Sequence, residues 1–292
     1  MKMRIRKIIA RLFCLTVSLA CGLASPAAAE NPAPVTPPAA RAGVWQPAPG
    51  TSWQWQLTGS IDTSFDVDMY DVDLFDAPQS AIDQLHADGR VVICYFSAGS
   101  WEEWRPDAGA FPPSVLGNPL DGWPGEKWLD IRQLAILGPI MSARLDVAVA
   151  KACDGVEPDN LDGYANDSGF PLTAQDQLNY NTWLAAEAHQ RGLSIGLKND
   201  LAQIEDLVPH FDWALNEQCF EYEECDVLLP FIQAGKAVFG VEYEGDPDIF
   251  CPQANAMNLD WLMKNLDLDA WRLSCREAYG DPLFSYLPVV RN

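Results

Sequence analysis

From residue 51 onward the chain alternates short apolar pulses with longer amphipathic stretches. Pulses at 52–57, 69–74, 91–96, 155–161, 194–197, 213–216, 237–241 and 271–274 are too short for buried helices, so they predict strands. Helical periodicity is predicted over 79–88, 131–152, 174–191, 202–208 and 255–266, with Thr173 as an N-cap and Gly89 and Gly192 as stops. Strand followed by helix, repeated, means parallel strands joined by crossovers. Eight pulses predict an α/β fold consisting of a single closed (β/α)8 barrel of the TIM type. An open doubly wound sheet is the rival, but no Gly-x-Gly-x-x-Gly turn follows the first pulse. The Pro-, Gly- and Trp-rich segment 97–130 reads as a long active-site loop.

In such a barrel the chemistry gathers at the C-terminal ends of the strands. Asp62, Asp71, Asp73 and Asp76 follow the first two pulses, and Tyr95, Ser97 and Trp101 the third. Asp159 and Asp162 follow the fourth, Lys198, Asn199 and Asp200 the fifth, Glu217 the sixth, and Glu242, Tyr243 and Glu244 the seventh. The densest cluster is Asp154, Glu157, Asp159 and Asp162, four carboxylates in nine residues. Carboxylates so close repel and raise one another's pKa. Glycosidic cleavage needs such an arrangement: two carboxyls facing one sugar ring, one neutral and one ionised.

Asp159 and Glu217, at the ends of the fourth and sixth strands, near neighbours around a barrel, are the candidate catalytic pair; capping of helix N-termini is the bland alternative. Glu157 and Asp162 are alternates, and Asp154, at a strand start, belongs to the structural face. Lys198 is placed to pair with Asp159 or to meet a sugar hydroxyl. Trp101, Trp104, Trp123, Trp128 and Tyr95 are candidate stacking platforms for sugar rings, or else loop packing. No Gly-x-Ser-x-Gly elbow, Walker loop or His-Glu-x-x-His motif occurs, and the three histidines are scattered, so neither cofactor nor metal is expected.

Charge narrows the partners. The chain carries 41 acidic and 19 basic residues, a net of −22. Residues 1–29 read as a signal peptide: Lys2, Arg4, Arg6, Lys7 and Arg11, an apolar stretch at 12–23, then Ala27-Ala28-Ala29. Losing those five basic residues leaves 14 against 41, a net of −27. That surface repels nucleic acid and anionic membranes and attracts cations. The apolar stretch is too short to span a membrane. Lipoprotein anchoring at Cys21 is the weaker alternative to a secreted or periplasmic monomer, because Ser18 stands where leucine is preferred. Residues 30–50 are a Pro/Ala-rich linker, and 51–292 one domain. The six remaining cysteines read as disulfides. Cys219 and Cys225 close so short a loop that they pair first; Cys251–Cys275 and Cys94–Cys153 then follow by elimination.

Five segments carry a family resemblance: Val-Ile-Cys-Tyr-Phe-Ser-Ala-Gly at 92–99, Trp-Leu-Asp-Ile-Arg at 128–132, and the stretches 155–164, 196–199 and 216–225. In this order they resemble the endo-α-1,4-polygalactosaminidases of glycoside hydrolase family 114, over roughly residues 45–275. The resemblance implies a (β/α)8 barrel that cleaves α-1,4-linked galactosamine in a galactosaminogalactan-like exopolysaccharide, with Asp159 and Glu217 as its acid pair. De-N-acetylated galactosamine is a cation, so Asp71, Asp73, Asp162, Glu242 and Glu244 become candidate subsites for amino groups. A non-catalytic carbohydrate-binding barrel and a hydrolase of another amino-sugar polymer remain the alternatives.

Overall fold

The structure, a computed structural model, describes residues 43–280. Three strands open the barrel: β1 (Trp53–Gln56), β2 (Met69–Asp73) and β3 (Val91–Ser97). The chain then leaves it for a small antiparallel sheet of β4 (Ser100–Glu102), β5 (Leu116–Pro119) and β6 (Glu126–Leu129). It returns as β7 (Gly155–Asp159), β8 (Ser194–Lys198), β9 (Trp213–Glu217), β10 (Val238–Glu242) and β11 (Asp260–Lys264), and ends in β12 (Arg272–Ser274). Among the described residues eight strands, β1, β2, β3 and β7 to β11, pair parallel in that order, and β12 runs antiparallel along β11. The sheet curls into a nearly closed barrel. Its seam is closed by other bonds: the Trp53 indole donates to the Asp260 carbonyl (2.8 Å), Gln54 to the Ala270 carbonyl (2.8 Å), and the Leu57 amide to Leu268 (3.0 Å).

The eighth barrel strand differs from the one expected. Residues 255–266 do not form a helix; α6 (Pro247–Ala256) ends within them and β11 follows. The pulse at 271–274 is the antiparallel β12 instead. Tertiary pairing overrides propensity here: Asp-Trp-Leu-Met-Lys has no β-branched residue, yet it completes the sheet beside β10. The other long helices, α1 (Gln79–Ala87), α2 (Leu134–Ala150) and α3 (Ala174–Gln190), stand where periodicity places them. Thr173 caps α3 in a capping box with Asp176.

Side chains alternate between two cores. Trp53, Trp55, Met69, Ile93, Trp213, Leu215, Phe239, Val241 and Leu262 fill the barrel interior, while Tyr70, Val92, Val156, Ile195 and Leu197 pack outward under the helices. The tryptophans need room from their neighbours. A Cβ on Gly196 would sit 2.4 Å from the Trp213 ring, and one on Gly240 2.1 Å from the Trp261 ring. Those glycines are therefore moulds for indoles one strand away.

Segment 97–130 is more ordered than an irregular loop. Arg105 ties its small sheet to the barrel through Asp73 (2.7 Å) and Glu102 (2.8 Å). All three expected disulfides form: Cys94–Cys153, Cys219–Cys225 and Cys251–Cys275. The signal peptide, Cys21 and residues 30–42 of the linker lie outside the described residues. The linker's last residues are fastened to the barrel: Gln46 bonds Asp212 (2.9 Å), and the Pro47 carbonyl accepts from the Ala237 amide (2.9 Å). No helix among the described residues is long and apolar enough to cross a membrane.

Candidate active site

Three consecutive barrel strands, β7, β8 and β9, end on charged residues that continue the inward alternation: Asp159, Lys198 and Glu217. The residue after each turns left-handed: Asn160 (φ 62°), Asn199 (φ 50°) and Gln218 (φ 65°). Such a turn breaks the strand at once and leaves the preceding side chain at the barrel mouth, at a cost of about 1–3 kcal/mol for a non-glycine residue. Asparagine tolerates the conformation best, which fits two of the three positions. The turns also supply bonds. The Asn160 amide donates to Asp159 Oδ1 (2.7 Å), and Asn199 Oδ1 accepts from the Glu217 amide (3.0 Å).

Lys198 is the hub. Its ammonium, 1% exposed, lies 2.8 Å from Glu157 Oε1 and 3.2 Å from both Asp159 Oδ1 and Glu217 Oε2. The contact to Glu157 is a hydrogen bond, and those to Asp159 and Glu217 are ion pairs. The Trp55 ring lies 4.7 Å below it and the Tyr95 ring 5.9 Å to the side. Burial alone would lower the Lys198 pKa, but Asp159, Glu157 and Glu217 together outweigh it and raise it well above the usual lysine value. The two end carboxylates are completed by phenols: Tyr95 donates to Asp159 Oδ2 (3.0 Å), and Tyr243 bonds Glu217 Oε1.

The surrounding acids are pushed toward their neutral forms. Burial, opposed by Lys198, puts Glu157 at about 7. Burial and then Asp159 raise Asp162 to about 6, and burial and then Asp162 raise Asp200 to about 8. A cluster of this kind holds protons near neutrality, which general acid–base work requires.

Strand parity sorts the other candidates. Asp71 faces inward but is wholly buried and meets Glu157, so it is not a subsite for substrate. Asp73 is taken up by Arg105 and by the amides of Phe75 and Asp76. Ser97 is buried against Ser100 (2.6 Å) and Asn160 (2.9 Å). Glu242 has outward parity and holds the Phe220 and Glu221 amides and the Trp261 indole. None of these four bonds or ion-pairs with Lys198, and Glu242 lines the neighbouring cavity. Tyr243, one residue on, points in and was missed in favour of its acidic neighbours. The alternation Phe239, Val241, Tyr243 carries that signal. Glu157, reduced to an alternate by sequence, sits closest of all to Lys198.

Trp101 is half-buried, donates to the Ala108 carbonyl (3.1 Å) and lies under Lys127. Trp104 and Trp123 are about half exposed, and Trp128 is buried. Glu244 is exposed and lines a cavity of about 610 Å³ with Phe220, Glu221, Asp246 and Phe250. That cavity flanks the mouth between the Cys219–Cys225 loop and the start of α6, and includes neither Asp159 nor Glu217. The cluster around Lys198 is a better marker of chemistry than the cavity, because a buried cation there meets three carboxylates at the strand ends.

Residues 34–279 match the model of the glycoside-hydrolase family GH114. Among solved structures the chain is similar to Aspergillus fumigatus Ega3, determined in complex with galactosamine, with 46% identity over 81% of this chain and 99% of that chain and a TM-score of 0.74. The glycoside hydrolase domain of PelA from Pseudomonas aeruginosa is 11% identical over 76% of this chain and 97% of that chain, with a TM-score of 0.60, a likeness of fold alone. No curated protein matches the chain.

Proposed function

The chain belongs to the glycoside-hydrolase family GH114, and on that footing we propose that Asp159 and Glu217 are the carboxyl pair with which it works. The protein is a glycosidase that cuts within a galactosaminogalactan-like polysaccharide. The observation that carries the pair is the shared ammonium. Two oxygens each 3.2 Å from one nitrogen are at most twice that, about 6.4 Å, apart. That bound favours double displacement with retention over the wider gap, about 6.5–9.5 Å, that leaves room for a water. Exposure separates the pair from Glu157: Asp159 is 19% and Glu217 26% exposed, and Glu157 is 0%. Only the first two reach a sugar.

Their roles follow from their partners. Asp159 accepts from Tyr95 and the Asn160 amide and is ion-paired with Lys198 (3.2 Å), partners that stabilise an anion. It attacks C1 of the sugar as the nucleophile. Glu217, the more exposed, protonates the departing glycosidic oxygen. In the second step it takes a proton from water, which releases the sugar from Asp159 with its α configuration restored.

Galactosamine amines are cations, and the exposed acids Glu221, Glu244 and Asp246 flank the mouth on the Glu217 side. We assign Glu244 and Asp162 to binding of amino groups, with Tyr95 and Trp101 as sugar-facing aromatics. Turnover on the polymer falls as salt screens this attraction. Export, by the segment 1–29, and a single monomeric domain are part of the same reading, in keeping with three disulfides.

The test incubates wild type, Asp159→Asn and Glu217→Gln with α-1,4-galactosamine oligomers, read by mass spectrometry and by proton NMR of the first product. The expected result is cleavage to the α-anomer by wild type and intact substrate with both variants. A β-anomer as first product overturns the double displacement, and substantial turnover by either variant overturns the pair.

A further inference from the structure

Behind the ammonium lies a fourth carboxyl that the proposed chemistry does not use. Asp71, on β2, is fully buried inside the barrel. No N–H or O–H donor reaches either of its oxygens, nor Oε2 of Glu157, which it faces. The Trp55 indole, on the residue paired with Asp71 across β1, is itself without a partner and does not supply one. Two facing buried carboxylates with no donor between them do not both stay ionised. One proton settles both deficits, because a carboxylic acid gains an O–H. Its place is fixed by the far oxygen of Glu157, which accepts from Lys198 at 2.8 Å. Above the Glu157 value of about 7, Glu157 is therefore the anion and Asp71 the acid.

We propose that Asp71 is a positioning residue: as a neutral acid it donates to Glu157 Oε2 and holds Glu157 as the third anion on Lys198, which centres the ammonium between Asp159 and Glu217. Burial first, and then the charge of Glu157, push the Asp71 carboxyl well above its usual range, in keeping with this placement. The charged and titratable groups around the pair are Asp73 on β2, Tyr95 on β3, Asp159 on β7, Lys198 on β8 and, across Lys198, Glu217 on β9. Loss of the proton at high pH places a second anion behind Lys198. The ammonium is then drawn inward, away from the two carboxyls at the mouth, and the site acquires an alkaline limb.

The kinetic part rests on the proposed catalytic pair; the proton itself does not. The test measures kcat and KM against pH for wild type, Asp71→Asn and Asp71→Val. Asparagine keeps an N–H for Glu157 and has no proton to lose. It retains most of the kcat at the optimum, and its alkaline limb moves up or disappears. Valine has no donor, so kcat falls roughly 10- to 100-fold with KM little changed, as for other groups that orient a site from behind. An unshifted alkaline limb in Asp71→Asn, or full kcat in Asp71→Val, overturns the proposal. A second measurement needs neither turnover nor a variant of Asp71: carboxyl ¹³C NMR of aspartate-labelled Asp162→Asn/Asp200→Asn, which removes the two other aspartyls raised toward neutrality. One aspartyl carboxyl still protonated at neutral pH supports the assignment, and its absence overturns it even if the catalytic pair is correct.

Discussion

Replacing Lys198 by methionine keeps the length of the side chain and removes the one cation shared by three carboxylates. At an effective dielectric of about 20, each unit pair near 3 Å attracts by about 5 kcal/mol, but desolvation of the ions takes back most of that sum. Breaking a buried pair by removing one partner has a net cost of about 3–5 kcal/mol, because the charge left behind has no water to return to. Lys198 is 1% exposed and Glu157 0%, so this site belongs in that class. For a domain of this size the melting temperature should fall by about 6–20 °C. The loss also has a pH signature. Glu157 titrates near 7 with the ammonium in place, and Lys198 is the largest influence lowering it. Without Lys198 its folded-state value rises further above the unfolded one. A group raised in this way contributes fully below its unfolded value and loses its contribution as pH climbs through the folded one. The gap between wild type and Lys198→Met therefore stays level from about pH 5 to about pH 7 and widens from there toward about pH 9, as Glu157 ionises in the wild type but not yet in the variant. Circular dichroism melts across that range test it. A gap that is constant, or that narrows toward high pH, would refute the assignment of Lys198 as the counter-ion of this cluster.

Tyr243→Phe removes the hydroxyl on Glu217 and nothing else, so kcat should drop roughly 10- to 150-fold, the equivalent of about 1.5–3 kcal/mol for a bond to a charged group, with KM nearly unchanged. Wild-type stability itself is expected to decline from mildly acidic to alkaline pH. Asp162 (about 6), Glu126 (about 7), Glu157 (about 7) and Asp200 (about 8) are all raised, and their contribution is lost as pH rises through those values. A melting temperature that climbs between pH 5 and pH 8 would contradict this. The disulfides should rank by loop length in denaturant titrations. Cys94–Cys153 spans 59 residues and Cys219–Cys225 spans 6. Alanine replacement of the first pair costs about 4 kcal/mol and of the second about 2 kcal/mol on the chain-entropy account. The reverse order would show that local packing, not loop closure, decides.

Much of the barrel was legible because its strands are written in β-branched and aromatic residues between polar helices. β11 was not, since Leu-Met-Lys are good helix formers and the pairing with β10 makes them a strand. The small sheet inside 97–130 was hidden for a similar reason, as Gly, Pro and Trp there read as loop. At the site, Asp159, Glu217 and Lys198 stood out as charges ending apolar runs. The error at residues 242–244 was one of weighting. Charge drew attention to Glu242, although the alternation through Phe239 and Val241 already turned it outward and Tyr243 inward. The burial of Asp71 had no local signal at all. An acid in the second strand looks like any strand-end acid until Glu157, 86 residues later, closes over it.

The two glycine moulds have a consequence for how this sequence can change. Gly240 and Trp261 occupy one volume between them, as do Gly196 and Trp213. Gly240→Ala, ordinarily among the mildest of substitutions, is blocked while the indole at 261 stands, whereas the same change becomes open once 261 is smaller. Each pair therefore drifts as a single heritable unit. A descendant that gains a side chain at 240 or 196 must already have given up the ring across the strand, and the order of those two steps is fixed.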